Sequence, residues 1–360
     1  MSLMMIAPFP PPHGGAGKNS QIILERLLGE IEVLRISTSV GQLSHERSLA
    51  YHVARSATFL KNALSMLRHL PGKVRRVYIV PDGGLGLFYS LGYVALAALF
   101  KKKLYLHYRN YSYIDVEQPL LKALLRMCNA STVHVFLDAN MEARFHDRYR
   151  AAGTNLIVSN ACFLDFDASD LRPPGNGSVT VGYLSNICRE KGFYDFVALV
   201  EAMNAVDAQV EFCVAGAPVG TQDAAALASL LERFPSVRYL GPVFHDDKRD
   251  FYRACDVFVF PTRFSQEAQP NVVWEAMASG AAVVAYDRGS IPWMLRAGGG
   301  HVVGRDDDFA RCARDVICDW LADRTSLRAV QESGRETYIR EREVSLVAYE
   351  QLVDSLADRD

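Results

Sequence analysis

Cysteine is sparse in this sequence and poorly arranged for bonding. There are seven (Cys128, Cys162, Cys188, Cys213, Cys255, Cys312 and Cys318), an odd number with no Cys-x-x-Cys pair. That excludes a disulfide framework and a cysteine-rich zinc module, and the expectation is reduced, buried thiols in a cytosolic protein. Long apolar runs are lacking too. The longest, LFYSLGYVALAALF from Leu87 to Phe100, is 14 residues, short of the roughly 20 that cross a bilayer, so a buried helix is expected there. No leader pattern opens the sequence, because Met1–Ala7 is uncharged and runs into prolines. A cytoplasmic location is therefore expected, with a peripheral place on the inner face of a membrane left open.

Complete nucleotide fingerprints are also missing. The stretch PPHGGAGKNS, Pro11–Ser20, follows an apolar run and precedes a helical pattern, yet Pro12 and Asn19 stand where a Walker A loop needs Gly and Ser or Thr. What remains is a glycine turn. Gly14 and Gly15 let the backbone approach a ligand closely, and a helix expected to begin near Ser20 would point its amides at an anion. DGGLG, Asp82–Gly86, lacks the full G-x-G-x-x-G of a dinucleotide site. Asp165 and Asp167 have a spacing suited to a divalent metal but fall in a linker composition, so no metal site is expected. GRDDD, ending at Asp308, reads as a helix N-cap.

What is present is enough chain for two domains: 360 residues, 49% of them hydrophobic. The net charge of −2 conceals an asymmetry. Residues 1–170 hold 19 Lys/Arg and 13 Asp/Glu, or +6, leaving 39−19=20 and 41−13=28, or −8, for the rest. Much of the positive charge lies in residues 48–76, where Leu49, Val53, Leu60, Leu64 and Leu67 recur at helical spacing and Arg55, Lys61 and Arg68 fall off that stripe. Two readings are open: an ordinary amphipathic surface helix, or a basic face resting on anionic lipid. No nucleic-acid partner is expected.

Short β-rich runs alternate with helix-period segments throughout, broken once by DFDASDLRPPGNGS at residues 165–178. The alternation predicts two parallel α/β domains, 1–170 and 171 onward. Ligands of such sheets collect at the carboxyl ends of the strands. The most informative loop is DVFVFPTRFSQEAQPNVVWEAMASG, Asp256–Gly280, in which a strand stopped by Pro261 leads through Glu267 to a helix holding Glu275. Two carboxylates beside the helix-start amides of Gln269 to Val272 suit a ligand with phosphates in its middle and hydroxyls at both ends. A nucleoside diphosphate sugar has that form.

On these residues the chain resembles the retaining glycosyltransferases of the GT-B fold, in the large Glu-x7-Glu family (group 1 type, family 4). The match rests on Glu267 and Glu275 within EAQPNVVWEAMASG and on VGYLSNICREKG, Val181–Gly192. It also rests on FCVAG, ACDVFVFPT and DRGSIP, on Gly14-Gly15, on LHYR at His107 and on SNA at Asn160. The resemblance implies two Rossmann-like domains facing across a cleft: 1–170 on the acceptor side, 171–343 binding the nucleotide sugar, and a helix, 344–360, returning to the first domain. It implies that Glu275 holds the ribose and that Lys191, with Arg189, neutralises the diphosphate. Glu267 would lie near the donor sugar and the amides of Asn271 and Val272 near the β-phosphate. Gly14 and Gly15 would close over the diphosphate, and His107 would stand by the sugar. No cofactor or metal is implied. The donor would be a UDP- or GDP-linked sugar and the acceptor a glycan or lipid-linked glycan, as in polysaccharide or glycolipid synthesis. Ala268, Tyr183 and Trp293 depart from the family's usual glycine, arginine and acid. A sugar-nucleotide epimerase or phosphorylase, or a binding module without turnover, is the alternative.

Overall fold

The computed structural model describes residues 2–11, 14–40, 49–164 and 178–358. The Asp165–Asp167 pair, the expected boundary at 170/171 and Ser48 lie outside them. The described chain divides into two compact units, Met1–Phe163 with Glu343–Asp360, and Leu164–Arg342. Each contains a six-stranded, wholly parallel sheet flanked by helices.

In unit 1 the order along the chain is β1 (Ser2–Ala7), α1 (Gly15–Leu28), β2 (Glu32–Ser37), α2 (Leu49–His69), β3 (Val74–Ile79), α3 (Leu87–Leu99) and β4 (Lys103–His107). It continues with α4 (Ser112–Asp115), α5 (Pro119–Leu125), β5 (Val133–Phe136), α6 (Ala139–Arg148) and β6 (Thr154–Ile157). The strands lie in the order β2-β1-β3-β4-β5-β6. Unit 2 runs β7 (Val179–Leu184), α7 (Phe193–Ala205), β8 (Val210–Ala215), α8 (Thr221–Arg233), β9 (Val237–Tyr239), α9 (His245–Ala254) and β10 (Val257–Phe260). Then follow α10 (Asn271–Ala278), β11 (Ala282–Tyr286), α11 (Ile291–Met294), β12 (Gly300–Val303), α12 (Phe309–Ala322) and α13 (Arg324–Ala357). Its sheet reads β12-β11-β10-β7-β8-β9, the doubly wound order of a dinucleotide-binding fold. The two parallel α/β domains expected from the alternation are found, and each has the Rossmann-like form that the resemblance implied. In each sheet the winding reverses once, between β1 and β3 in unit 1 and between β7 and β10 in unit 2, so the loops after those strands diverge and leave a crevice.

Several local expectations change. The helix after the glycine turn begins at Gly15, one turn earlier than the apolar pattern suggested, with Gly14 as its uncapped N-cap. At Gly17, in the first turn, a Cβ would meet Pro10 and Phe9 at 3.5–3.6 Å, an ordinary contact, so the position does not require glycine. Strands β2, EVLRIS, and β12, GHVV, escape the sequence pattern because Glu32 and Arg35 interrupt the one and Gly300 and His301 take half of the other, as edge positions tolerate. Helix α3 buries Leu87, Tyr93, Val94 and Ala97 but leaves Phe88 and Leu99 exposed, so it is not buried all round. The stripe of α2 is also reversed: Asn62 and Met66 face inward, while Leu49, Val53, Leu60, Leu64 and Leu67 face solvent. Asp308 does cap α12, its Oδ1 accepting from the Arg311 amide at 3.2 Å. Three cysteines are buried and four half-buried, all reduced.

Helix α13 starts in unit 2, and its last turns complete the core of unit 1. Tyr349, Leu352, Val353 and Leu356 pack with Leu3, Met5, Tyr78 and Tyr105. The Tyr105 hydroxyl donates to the Ser355 carbonyl at 2.9 Å, and the buried Arg76 pairs with Asp358. Leu352→Ala is therefore expected to cost about 2–5 kcal/mol. Val347→Ala, on the exposed face, should stay within about 0.5 kcal/mol. Urea midpoints of the two variants check this.

Candidate active site

In unit 2 the polar residues gather at the switch point. The loop after β7 turns through Arg189–Lys191 and closes at Gly192, whose φ of 79° is left-handed and where a Cβ would stand 1.8 Å from the Pro261 carbonyl oxygen. Only glycine allows that approach. The Arg263 amide donates to the Glu190 carbonyl at 2.9 Å, stitching the loops after β7 and β10 together. Tyr183, at the position where the resemblance would put an arginine, is buried, and its hydroxyl is shared between the carbonyls of Asn186 and Lys191, each at 3.2 Å. It fastens the loop instead of offering a charge.

The result is a contact between residues 76 apart in sequence. Lys191 Nζ donates to Glu267 Oε2 at 2.6 Å, and Thr262 Oγ1 donates to the same oxygen at 3.3 Å. The ammonium also lies 4.6 Å from the centre of the Phe264 ring, a cation–π contact. Both partners keep some contact with water. The backbone of Glu267 and Ala268 is held from behind by Gly289, φ 56°, where a Cβ would come within 2.2 Å of the Ala268 carbonyl oxygen. The Ser290 amide donates to that oxygen at 2.7 Å.

Asn271 and Val272 form the first turn of α10, whose N-cap, Pro270, offers no side-chain acceptor. Glu275, one turn further on, is buried. Its Oε1 accepts from Lys248 Nζ at 2.7 Å; its Oε2 lies 2.5 Å from Lys248 and accepts from the Tyr252 hydroxyl at 3.0 Å. Lys248 and Tyr252 escaped the sequence reading, although their i,i+4 spacing on α9 puts them on one face of that helix. Arg189 is not brought to Glu267; its guanidinium lies 4.5 Å from the Tyr194 ring centre. Trp293, another departure, stacks under Arg296 at 3.9 Å.

Unit 1 holds its own polar group at the carboxyl end of its sheet. His107 ends β4 fully buried; its Nδ1 lies 2.6 Å from the Tyr78 hydroxyl and 3.4 Å from Arg109. Its Nε2 has no hydrogen-bond partner. Arg109 also donates to Ser20 Oγ at 3.2 Å and the Ala16 carbonyl at 3.3 Å, joining this cluster to the helix that starts beside Gly14 and Gly15. Asn19 donates to Asn160 at 2.9 Å. The sequence marks Asn19 only as a misfit to the Walker pattern and carries Arg109 only as the last residue of LHYR, and nothing local links Tyr78 to His107, 29 positions away. Burial, and then the Arg109 charge, push the His107 pKa well below its usual value, so the ring is neutral at pH 7. Among the described residues no three His, Cys, Asp or Glu side chains converge as a metal site.

Residues 178–319 match the model of a family described as glycosyl transferases group 1. The phosphatidylinositol N-acetylglucosaminyltransferase gpi3 subunit of Schizosaccharomyces pombe is 23% identical over 186 residues, which is 51% of this chain and 40% of that protein. The chain thus matches about two-fifths of that relative's length. Among solved structures, sucrose-phosphate synthase from Thermosynechococcus elongatus superposes with a TM-score of 0.71 at 16% identity, over all of both chains. HepE of Anabaena, in complex with UDP-glucose, gives 0.68 at 16% identity over 99% of this chain and all of its own.

Two predictions follow from the geometry. Lys248→Met should cost about 3 kcal/mol, because it strands the Glu275 carboxylate in the interior, and adding Glu275→Gln should restore part of that loss in urea denaturation. A histidine whose folded pKa is depressed refuses a proton that the unfolded chain accepts. Its stabilising contribution is complete above the unfolded pKa of about 6.5 and shrinks as pH falls below it. The melting temperature of His107→Gln should therefore fall less than that of the parent between pH 7 and pH 5.

Proposed function

We propose that this chain, a member of the glycosyltransferase superfamily with the GT-B fold, is a retaining, metal-independent transferase. It takes a sugar from a UDP-linked donor and passes it to a hydroxyl of a lipid-linked acceptor. The observation that carries this reading is the Lys191–Glu267 pair beside the uncapped start of α10, at the winding reversal of unit 2. UDP is chosen over GDP because the Anabaena HepE structure holds UDP-glucose. A lipid-linked acceptor is chosen because the fission-yeast relative is named for phosphatidylinositol.

In this reading the chemistry follows the charge. An ammonium has three donors, so Lys191 keeps one on Glu267 and turns the others toward phosphate oxygens. The amides of Asn271 and Val272 point at the same place, and together they stabilise the negative charge that grows on the diphosphate as the anomeric bond breaks. Arg189 supplies a second cation at the mouth of the loop. Glu267 orients the sugar hydroxyls, and Glu275 Oε1 accepts from the ribose. Within unit 1, Gly14 and Gly15 offer backbone amides at the start of α1 and neutral His107 offers a ring nitrogen, the groups that the resemblance assigns to the donor. The acceptor oxygen bonds to the anomeric carbon on the face the phosphate leaves, and its proton passes to the departing β-phosphate oxygen. The anomeric configuration is thereby retained.

Thermal melting with UDP, GDP, ADP and CMP tests this directly. UDP near 100 times its dissociation constant adds about 2.7 kcal/mol, a rise of a few degrees, and the shift should be the same in EDTA as in Mg²⁺. Glu267→Gln should keep the UDP shift and lose at least about 100-fold in transfer rate, in the range that follows loss of a transition-state contact. Lys191→Ala should lose the shift itself. A UDP shift seen only with Mg²⁺, or none with any nucleotide, would overturn the reading.

A further inference from the structure

The outward stripe of α2 carries an inference that does not depend on the transfer chemistry. Its inner face is fixed by specific contacts. Asn62 donates to the Ser37 carbonyl at 2.9 Å and to the Tyr93 hydroxyl at 3.2 Å, and Phe59 packs against the rings of Tyr89 and Tyr93. Arg55 bonds the Thr38 carbonyl at 2.7 Å and pairs with Asp82. With that face committed, Leu49, Val53, Leu60, Leu64 and Leu67 fall within a sector of about 60° at 3.6 residues per turn, on the solvent side. Leu49 is 82% exposed and Leu64 68%.

The stripe does not stand alone. Leu85, in the short turn before α3, and Phe88, in its first turn, are 85% and 62% exposed. Tyr89 binds that end of the helix to α2 through the Ser56 hydroxyl at 3.1 Å. Seven large apolar side chains are thus offered to solvent by two touching helices and the turn that leads into one of them, more than scattered surface hydrophobics account for.

Charge identifies the occupant. From Leu49 to Ile114 the sequence holds ten Lys/Arg and a single acid, Asp82, which Arg55 already engages. Lys61 and Arg68 flank the stripe on α2, Lys73 and Arg75 follow it, and all four are exposed. Lys101 and Lys102 follow α3, and Lys103 opens β4. A second copy of this face would set like charge against like. No helix among the described residues is long and apolar enough to cross a membrane. An apolar stripe with a basic, acid-free margin matches the boundary between headgroups and acyl chains of a bilayer rich in anionic lipid. We propose that α2 and the start of α3 form a docking face that seats unit 1 on such a bilayer, with the leucines and Phe88 entering the acyl boundary and the lysines and arginines meeting lipid phosphates.

Vesicle co-sedimentation of the full chain tests this, using phosphatidylcholine alone and with 30% phosphatidylglycerol. The expected result is pelleting with the anionic vesicles, at least tenfold weaker with the neutral ones. Leu60→Asp/Leu64→Asp should reduce binding at least tenfold, and Lys61→Glu/Arg68→Glu should reduce it and flatten its salt dependence. Both pairs are exposed, and an unchanged UDP melting shift in each variant would separate this result from the transfer reading. Equal pelleting with neutral and anionic vesicles, unchanged binding by the leucine variant, or its conversion of a parent dimer to monomer without loss of vesicle binding would each overturn the proposal.

Discussion

Packing helices on both faces of a parallel sheet leaves its strands no polar face, and each unit obeys that constraint. Every residue of β10 and β11 is buried, and so are nearly all of β7 and β8. Charged groups have to collect beyond the strand ends, and the winding reversal decides where. In unit 2 that place lies after β7 and β10, which is why Lys191 and Glu267 meet across 76 residues of chain. Gly192 and Gly289, both with left-handed backbones, allow the loops to approach closely enough.

The two glutamates of unit 2 are held differently. Glu267 shares one oxygen between Lys191 and Thr262 and remains in reach of water. Glu275 is sunk in the protein and fixed by Lys248 and Tyr252 from a neighbouring helix. One carboxylate can exchange partners when an anion competes for its lysine, whereas the other is a rigid acceptor. Preorganisation of this kind reduces the reorganisation needed when charge develops.

Much of the fold was legible because parallel strands buried on both faces write themselves as continuous apolar runs, as in VFVFP and AAVVAY. Strands β2 and β12 were not, since Glu32 and Arg35 break the apolar run of one and Gly300 and His301 leave only two apolar residues in the other. Glu267, Glu275 and the start of α10 could be read together because one loop and one helix carry them. Lys248, Tyr252 and Tyr78 could not, because tertiary contact alone sets them beside Glu275 and His107. The stripe on α2 shows the limit most plainly. Periodicity showed that one side of the helix is apolar, but which side faces inward was set by the bonds of Asn62 and Arg55 to residues 17 to 31 positions away.

The division of α13 between the units has a consequence for synthesis. Unit 1 draws Tyr349, Leu352, Val353 and Leu356 into a core begun by Leu3 and Met5, so about 180 residues of the other unit leave the ribosome before its last pieces arrive. At roughly 5–20 residues per second, the first-made unit waits many seconds with an open hydrophobic groove along its sheet, while unit 2, continuous in sequence, can close as soon as it emerges. The order of synthesis and the order of completion are therefore opposite, and the nascent chain passes through a stage at which its oldest part is its least finished.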